Sequence, residues 1–247
     1  MTNIKAVVLA AGKGTRLQTE GEDAPKVLRL ALGKPLLQYV LQAIDFIAKE
    51  NTILVVGYKK EQVIKAFANY PFVEQKELKG TGHAVMAAKE ALGTEDFPVL
   101  VCYGDMPLLE KETYENLLEI HLTQQNACTM LTGSTELKLP FGRIVRDEQD
   151  KFLEVVEDKD CTEEQKKIEE LNVGVYVFQS QALLKALEEV KPQNAQGEYY
   201  LTDVPAILRQ KGLSVGICKR ELGKQLVGVN TLEDLQMVEK TLEERGK

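Results

Sequence analysis

The sequence predicts an α/β fold in which a mostly parallel sheet is flanked by helices and carries an inserted β-hairpin. Short apolar runs at residues 6–11, 52–56 and 98–103 end at glycine or another turn-forming residue, as buried strands do. Helical patterns alternate with these runs from the N-terminus, and this order is typical of a parallel sheet covered by helices. The pattern of residue types changes at residues 140–160, where two short β-like runs flank a polar turn and predict the hairpin.

Length and composition indicate a globular protein. The chain has 247 residues, of which 44% are hydrophobic and 28% charged, and this is enough for a core without disulfides or structural metal. A formal charge of −7 argues against a dedicated nucleic-acid or membrane-surface protein, and no apolar run is long enough to span a membrane. We expect one continuous domain over residues 1–247, a cytoplasmic location, and four isolated, mostly buried cysteines rather than a disulfide framework.

The remaining elements follow from periodicity. Helices are predicted from Pro35 to about Ile47, at 60–68, from the Gly-Thr-Gly loop to about Leu92, at 110–121, 162–170 and 204–210, and after Thr231. Strands are predicted at 127–132, 141–145, 152–157, 172–178 and 214–218. Thr231 and Asp234 have the spacing of a capping box. The last helix would bury one apolar face, formed by Leu232, Leu235, Val238 and Leu242.

The first strand leads into a glycine-rich, cationic loop. Gly12 and Gly14 allow a ligand to approach the backbone closely, and successive N–H groups in such a loop suit phosphate, to which Lys13 and Arg16 add charge. The spacing fits neither a P-loop nor the dinucleotide fingerprint. These residues alone are equally consistent with a phosphate cradle and with an ordinary tight turn.

Three further stretches are candidates for chemistry. Asp105 follows a central strand, where open α/β sheets bind ligands, and one carboxylate can hold Mg²⁺ jointly with substrate phosphates. Residues 80–82 form a Gly-Thr-Gly loop before a helix, and 194–203 are rich in polar side chains; each also fits a plain capping loop. Lys26 alone is most simply a solvated lysine.

Together these stretches resemble the sugar-1-phosphate nucleotidyltransferases. The closest resemblance is to the uridylyltransferase domain of bacterial bifunctional N-acetylglucosamine-1-phosphate uridylyltransferases. The motifs run in order from Val7 to about Leu235: LAAGKGTR at 9–16, PKVL at 25–28, GTGHA at 80–84, YGDMP at 103–107, FGRI at 141–144, VEDKD at 156–160, NVGVY at 172–176, NAQGEYYLTD at 194–203 and GVN at 228–230. The resemblance implies a Rossmann-like nucleotide-diphospho-sugar transferase fold.

The resemblance also implies roles for individual residues. Arg16 and Lys26 would be catalytic, holding the triphosphate and the charge that develops on it. Asp105 and Asn230 would bind Mg²⁺. The nucleotide would be bound by Leu9, Ala10, Ala11, Gly12, Gly14, Gln75, Gly80, Thr81, Tyr103 and Gly104. The amino-sugar would be bound by Gly142, Glu157, Asn172, Tyr200 and Thr202. The nucleotide part would cover about 1–110, the sugar part about 111–230, and a C-terminal helix 231–243.

The implied reaction joins UTP and N-acetylglucosamine-1-phosphate to give UDP-N-acetylglucosamine and pyrophosphate, so the expected partners are small molecules. Another sugar-1-phosphate, dTTP in place of UTP, or an inactive nucleotide-sugar-binding regulator are alternatives. The bifunctional relatives continue into hexapeptide repeats that acetylate glucosamine-1-phosphate. This sequence contains no such repeats, so we do not expect acetyl transfer.

Overall fold

The computed structural model describes residues 3–14, 17, 24–137 and 139–246. Its strands are β1 (Lys5–Ala10), β2 (Leu30–Ala31), β3 (Lys34–Pro35), β4 (Thr52–Val56), β5 (Phe72–Glu74), β6 (Pro98–Tyr103), β7 (Cys128–Ser134), β8 (Arg143–Arg146), β9 (Phe152–Val156), β10 (Leu171–Gln179) and β11 (Val215–Glu221). Its α-helices are α1 (Leu36–Ala43), α2 (Lys60–Ala66), α3 (Thr81–Met86), α4 (Lys89–Leu92), α5 (Lys111–Gln124), α6 (Ser180–Leu187), α7 (Val204–Gln210) and α8 (Leu232–Arg245).

The main sheet has the strand order β11-β7-β10-β6-β1-β4-β5. Strands β1, β4, β5 and β6 pair in parallel, and β11 is parallel to β7. Strand β10 is antiparallel to both of its neighbours, β6 and β7. The hairpin β8–β9 attaches to the start of β10 through β8. The predicted mostly parallel α/β fold is therefore confirmed.

Both faces of this sheet are buried, which explains why its strands read as unbroken apolar runs. Along β1, Val7 and Leu9 belong to one apolar cluster, whereas Ala6 and Val8 belong to a second cluster on the opposite face. Helices α3, α6 and α7 contribute to the first cluster, and α1, α2 and α5 contribute to the second. A smaller third cluster includes Val238 of α8 together with Leu36 and Val229.

The predicted hairpin and the predicted capping box are both confirmed. In the turn between β8 and β9, the Asp147 carboxylate accepts hydrogen bonds from the backbone N–H groups of Gln149 and Lys151, both at 2.9 Å. At the start of α8, Thr231 Oγ1 accepts from the Asp234 N–H at 3.2 Å, and Asp234 Oδ2 accepts from the Thr231 N–H at 2.9 Å.

The predicted helix at 162–170 is wrong, because it is limited to a single 3₁₀ turn, Gln165–Lys167. Thr162 and Gln165 form reciprocal side chain–backbone hydrogen bonds of 2.8 and 3.2 Å, which close one turn. Ile168 is the only apolar residue in this segment, so a longer helix would have no apolar face to bury against the sheet.

Other predicted helices differ in extent. Helix α1 ends at Ala43, although Ile44 and Ile47 are buried in the same core beyond its end. The helix predicted to run from the Gly-Thr-Gly loop to Leu92 is divided into α3 and α4. On α8, Leu232 was assigned to the apolar face but is 44% exposed, because the first turn extends beyond the third cluster.

Several short elements were not predicted, among them α6, β5 and the small hairpin β2–β3. The four cysteines are free, and Cys102, Cys128 and Cys218 are buried as expected. Among the residues that the structure describes, no helix has the length and apolarity needed to cross a membrane.

Candidate functional site

The predicted site residues gather at one edge of the sheet. Strands β1 and β6 are parallel, with Leu9 opposite Tyr103, so their carboxyl ends meet there. Strand β10 is antiparallel to β6, and its first residues therefore lie at this same edge. This edge, outside the carboxyl ends of parallel strands, is where open α/β sheets bind ligands.

Two cavities open at this edge and share a common wall. The first, of about 350 Å³, is lined by predicted nucleotide-binding residues: Leu9, Ala11, Gly12, Gly14, Gln75, Gly80, Thr81 and Tyr103. The second, of about 170 Å³, is lined by three of the predicted sugar-binding residues: Gly142, Glu157 and Asn172. Tyr103, Asp105 and Asn230 line both cavities. A molecule in one cavity would thus lie next to a molecule in the other.

The Lys26 ammonium lies at this shared wall. Its Nζ donates to Asn230 Oδ1 at 2.7 Å and forms an ion pair with Asp105 Oδ2. Lys26 begins a 3₁₀ turn directly after Pro25, and the glycine loop packs on its stem. A Cβ placed on Gly14, where φ is +64°, would lie only 2.6 Å from Lys26 Cβ. Glycine at position 14 therefore allows the loop to approach Lys26 closely.

Asp105 and Asn230 are fixed by the backbone around them. The Asp105 carbonyl accepts a hydrogen bond from the Val229 N–H at 3.0 Å, which joins the end of β6 to the segment before α8. The Asn230 N–H donates to Asp234 Oδ2 at 2.9 Å, so the capping box of α8 also holds Asn230. The side-chain oxygens of Asp105 and Asn230 are thus brought together although the two residues are far apart in sequence.

The Gly-Thr-Gly loop packs against the predicted sugar-binding segment. The Gly82 N–H donates to the Tyr199 carbonyl at 2.7 Å, and Thr81 Oγ1 accepts from the Leu201 N–H at 3.0 Å. The Thr81 hydroxyl also hydrogen-bonds Tyr103, whose phenol pKa is raised above its usual value mainly by burial. Thr81 therefore links the two cavities through Tyr103.

On the sugar side, Glu157 is a partly buried carboxylate. Burial raises its pKa above the usual value, and the nearby Asp160 and Asp203 add to that effect. The Thr202 hydroxyl donates to Glu157 Oε1 at 3.0 Å and opposes the shift. Tyr200 is buried, and its hydroxyl accepts from Gln196 Nε2 at 2.8 Å. Thr202 and Tyr200 thus support the sugar-side cavity from behind rather than line it.

Besides Tyr200 and Thr202, two described residues of the predicted site, Ala10 and Gly104, do not line either cavity. Ala10 is on the opposite face of β1, inside the second cluster. Gly104 takes part in backbone pairing, since its N–H donates to the Leu9 carbonyl at 3.0 Å. Arg16 lies outside the described residues, so its predicted role stays a prediction.

Gly174 lines the sugar-side cavity and was missed as a site residue. It has φ of +78°, and the pairing of β10 with β7 shifts register between Asn172 and Tyr176. The Tyr176 hydroxyl donates to Asn172 Oδ1 at 2.9 Å, which fixes the Asn172 amide beside this irregularity. A glycine inside an otherwise apolar strand is the sequence signal that could have revealed it.

The side-chain oxygens of Asp105 and Asn230 at the shared wall are suitable ligands for one divalent cation that a bound phosphate would also hold. Among the described residues no cluster of three or more His, Cys, Asp or Glu side chains could hold a metal by itself. One carboxylate oxygen and one amide oxygen, from Asp105 and Asn230, both contact the Lys26 ammonium, so they already surround a positive charge. Mg²⁺ commonly uses one or two protein oxygens and completes its shell with phosphate and water.

The fold and the two adjoining cavities define the class: an α/β protein with a composite ligand site at the carboxyl edge of a mostly parallel sheet. The family model for the MobA-like NTP transferase domain matches residues 6–207, and the chain belongs to that family. The resemblance drawn from the sequence motifs is thereby confirmed.

Individual relatives agree with this assignment. The chain is 40% identical over 246 residues to the bifunctional protein GlmU of Streptococcus sanguinis, and 40% identical over 246 residues to that of Streptococcus mutans. Each match covers 99% of this chain and 53% of the relative, so the chain spans about half the length of the curated relatives it matches.

Solved structures with low sequence identity share the fold. A UDP-glucose pyrophosphorylase complexed with UDP-glucose superposes with a TM-score of 0.75 at 19% identity, covering 99% of this chain and 100% of that chain. A putative glucose-1-phosphate thymidylyltransferase from Bacillus anthracis gives a TM-score of 0.73 at 18% identity, covering 97% and 95%.

Proposed function

We propose that this protein transfers a uridylyl group from UTP to N-acetylglucosamine-1-phosphate, giving UDP-N-acetylglucosamine and pyrophosphate. The observation that carries the proposal is the pair of adjoining cavities, which share a wall of Tyr103, Asp105 and Asn230 beside the Lys26 ammonium. The 40% identity to a GlmU protein over almost the whole chain supports uridylyl transfer to a sugar-1-phosphate. We expect the enzyme to act on small molecules and to be located in the cytoplasm.

In the proposed reaction, an oxygen of the sugar phosphate attacks the α-phosphorus of UTP. The new P–O bond forms as the bond between the α-phosphorus and the bridging oxygen breaks, and pyrophosphate leaves with that electron pair. No covalent enzyme intermediate is required, so the protein's contribution is to position two anions and stabilise the developing charge.

The residues divide this work between them. Lys26 would bind the triphosphate, and the backbone of Gly12 and Gly14 would approach it closely. Gln75, Gly80 and Thr81 would contact the base, whereas Gly142, Glu157 and Asn172 would hold the amino-sugar. Asp105 and Asn230 would hold Mg²⁺, which supplies charge neutralisation and Lewis acidity when bound.

A pyrophosphate-release assay tests the proposal. The protein is incubated with UTP, Mg²⁺ and one of a panel of sugar-1-phosphates, among them N-acetylglucosamine-, N-acetylgalactosamine- and glucose-1-phosphate. We expect the highest kcat/KM with N-acetylglucosamine-1-phosphate. Turnover confined to another sugar would overturn the sugar assignment, and binding of UDP-N-acetylglucosamine without any turnover would indicate a nucleotide-sugar-binding regulator instead.

A further inference from the structure

The side-chain amide of Gln75 is fixed at two points beside the nucleotide-side cavity. Gln75 follows β5 and is buried, and its backbone N–H donates to the Val56 carbonyl at 2.8 Å. Its Nε2 lies 3.1 Å from the Gly80 carbonyl oxygen. Because a carbonyl oxygen can only accept, the amide atom at that position must be the NH₂ group. The Gly80 carbonyl therefore sets which way the amide faces.

His83 holds the same NH₂ group from the other side. Its Nδ1 lies 3.3 Å from Gln75 Nε2. Since the NH₂ group only donates, Nδ1 must accept, and the ring proton of the neutral imidazole is then on Nε2. His83 lies in the first turn of α3, with its ring centroid 6.3 Å from that of Tyr199. Both N–H bonds of the amide are thus used within the protein.

The remaining polar atom of the amide is Gln75 Oε1, an acceptor. Among the described residues, no hydrogen bond to this oxygen is found, and Gln75 lines the cavity together with Gly80 and Thr81. The side chain therefore offers the base an acceptor and no donor. Uracil and thymine carry N–H at position 3, whereas cytosine has a lone pair at that position.

We propose that His83 is a positioning residue that makes Gln75 select a base with N3–H, and so makes the site reject cytosine nucleotides. The inference rests on the proposed function for its nucleotide site, and it adds the residue and the hydrogen bond that set base selectivity. Without the Nδ1 acceptor, only the Gly80 carbonyl would hold the NH₂ group. The rotated amide, which presents NH₂ to N3 of cytosine, would then be less unfavourable.

Two variants of His83 separate this role from simple packing. His83→Asn keeps an acceptor, because Asn Oδ1 occupies nearly the position of the histidine Nδ1. His83→Leu keeps the branching at Cγ but has no acceptor. The measured quantities are kcat/KM for UTP, CTP and dTTP in the pyrophosphate-release assay, and Kd for UTP and CTP by calorimetry without sugar phosphate.

We expect His83→Leu to lower the UTP:CTP ratio about tenfold and His83→Asn to retain most of that ratio. The UTP:dTTP ratio should not change, because both bases have N3–H. A UTP:CTP ratio that is equal in the wild type and in both variants would overturn the proposal. The binding ratio is measurable without turnover, so failure of the proposed reaction remains distinguishable from failure of this inference.

A measurement on the wild-type protein keeps the proposal testable if His83→Leu does not fold. The chain has two histidines, so side-chain ¹⁵N resonances are readily assigned by comparison with a His121 variant. We expect His83 Nδ1 to be unprotonated and Nε2 to carry the proton, both before and after UTP is added. A proton on Nδ1 would contradict the hydrogen bond on which the inference depends.

Discussion

Gly174 and the ring of Tyr103 fit together only because residue 174 has no side chain. A Cβ at Gly174 would lie less than 3.0 Å from Tyr103 Cε2, and φ there is +78°. Tyr103 lies on the wall between the two cavities, while Gly174 lines the sugar-side cavity. A side chain at position 174 would therefore push the tyrosine ring into the space that both proposed substrates need.

Gly174→Ala is expected to raise KM for both UTP and the sugar phosphate by about tenfold. The matched control is Gly212→Ala, because Gly212 has φ of +74° and nothing within 4 Å of an added Cβ. In urea unfolding, Gly212→Ala should lose about 1 kcal/mol of stability from the left-handed backbone, and Gly174→Ala should lose more because its Cβ overlaps the Tyr103 ring. Equal effects of the two variants on KM would show that Gly174 matters only for backbone conformation.

The Lys26 ammonium contacts the oxygens of Asp105 and Asn230 that we propose as Mg²⁺ ligands, so it would compete with the cation for them. We expect Lys26→Met to lower kcat by about 100-fold, because a charge that stabilises the transition state is lost. The same change should lower the Mg²⁺ concentration that gives half-maximal rate, since a competing cation is removed. Lys191→Met is the control, because Lys191 is exposed and lines neither cavity. An unchanged Mg²⁺ requirement in Lys26→Met would disprove the competition.

Asp203 is predicted to make the protein less stable as pH rises. Burial raises its pKa to about 6, with Asp160 and Glu154 adding to the shift. The folded state holds the proton of the Asp203 carboxyl more tightly than the unfolded state does. The resulting loss of folding stability is therefore absent below the unfolded pKa and complete above pH 6. After allowance for solvent screening, we expect Asp203→Asn to gain about 1 kcal/mol at pH 7.5, or roughly 2–4 °C in Tm.

The comparison that checks this is a pair of thermal melts, at pH 4 and pH 7.5, for the wild type and Asp203→Asn. The difference between the two proteins should be small at pH 4 and larger at pH 7.5. If the Tm difference between the two proteins is the same at both pH values, the charge of Asp203 does not cause the difference in stability.

Glu170 directly precedes β10, and its carboxylate contacts side chains of three other strands, β7, β8 and β11. It accepts from Thr132 Oγ1 at 2.7 Å and from Arg146 Nη2 at 2.9 Å, and Lys219 Nζ lies 3.5 Å away. Burial alone would raise its pKa, but the Arg146 and Thr132 hydrogen bonds outweigh burial and lower it. This stabilisation is present above the unfolded pKa and is lost as pH falls through the lower folded value.

Glu170→Gln should cost about 3 kcal/mol in urea unfolding at pH 7, because the arginine beside it loses its partner. Glu163→Gln breaks the exposed ion pair to Lys166 and should cause no measurable change. A loss for Glu170→Gln no greater than that of the control would exclude a role of this carboxylate in stability.

The strands could be predicted because burial on both faces leaves unbroken apolar runs, as in β1 and β6. The polar segment 162–170 misled the prediction because charge alone does not show whether a helix has a surface to pack on. The site residues were suggested by motifs, but the contact between Lys26 and Asn230 joins positions 204 apart and no local pattern encodes it. The Gly174–Tyr103 fit likewise depends on a register shift that only the paired strands show.

The position of β10 between β6 and β7 has a kinetic consequence. Among the described residues β7 pairs only with β10 and β11, and both of these are synthesised later. During translation β7 must therefore wait for about 40 more residues, or a few seconds, with both edges open. We expect nascent chains that end before β10 to be bound by chaperones or to aggregate. The arrival of β10 covers one edge of β7, while the other edge stays open until β11 is synthesised. The same step delivers Asn172 and Gly174 to the sugar-side cavity.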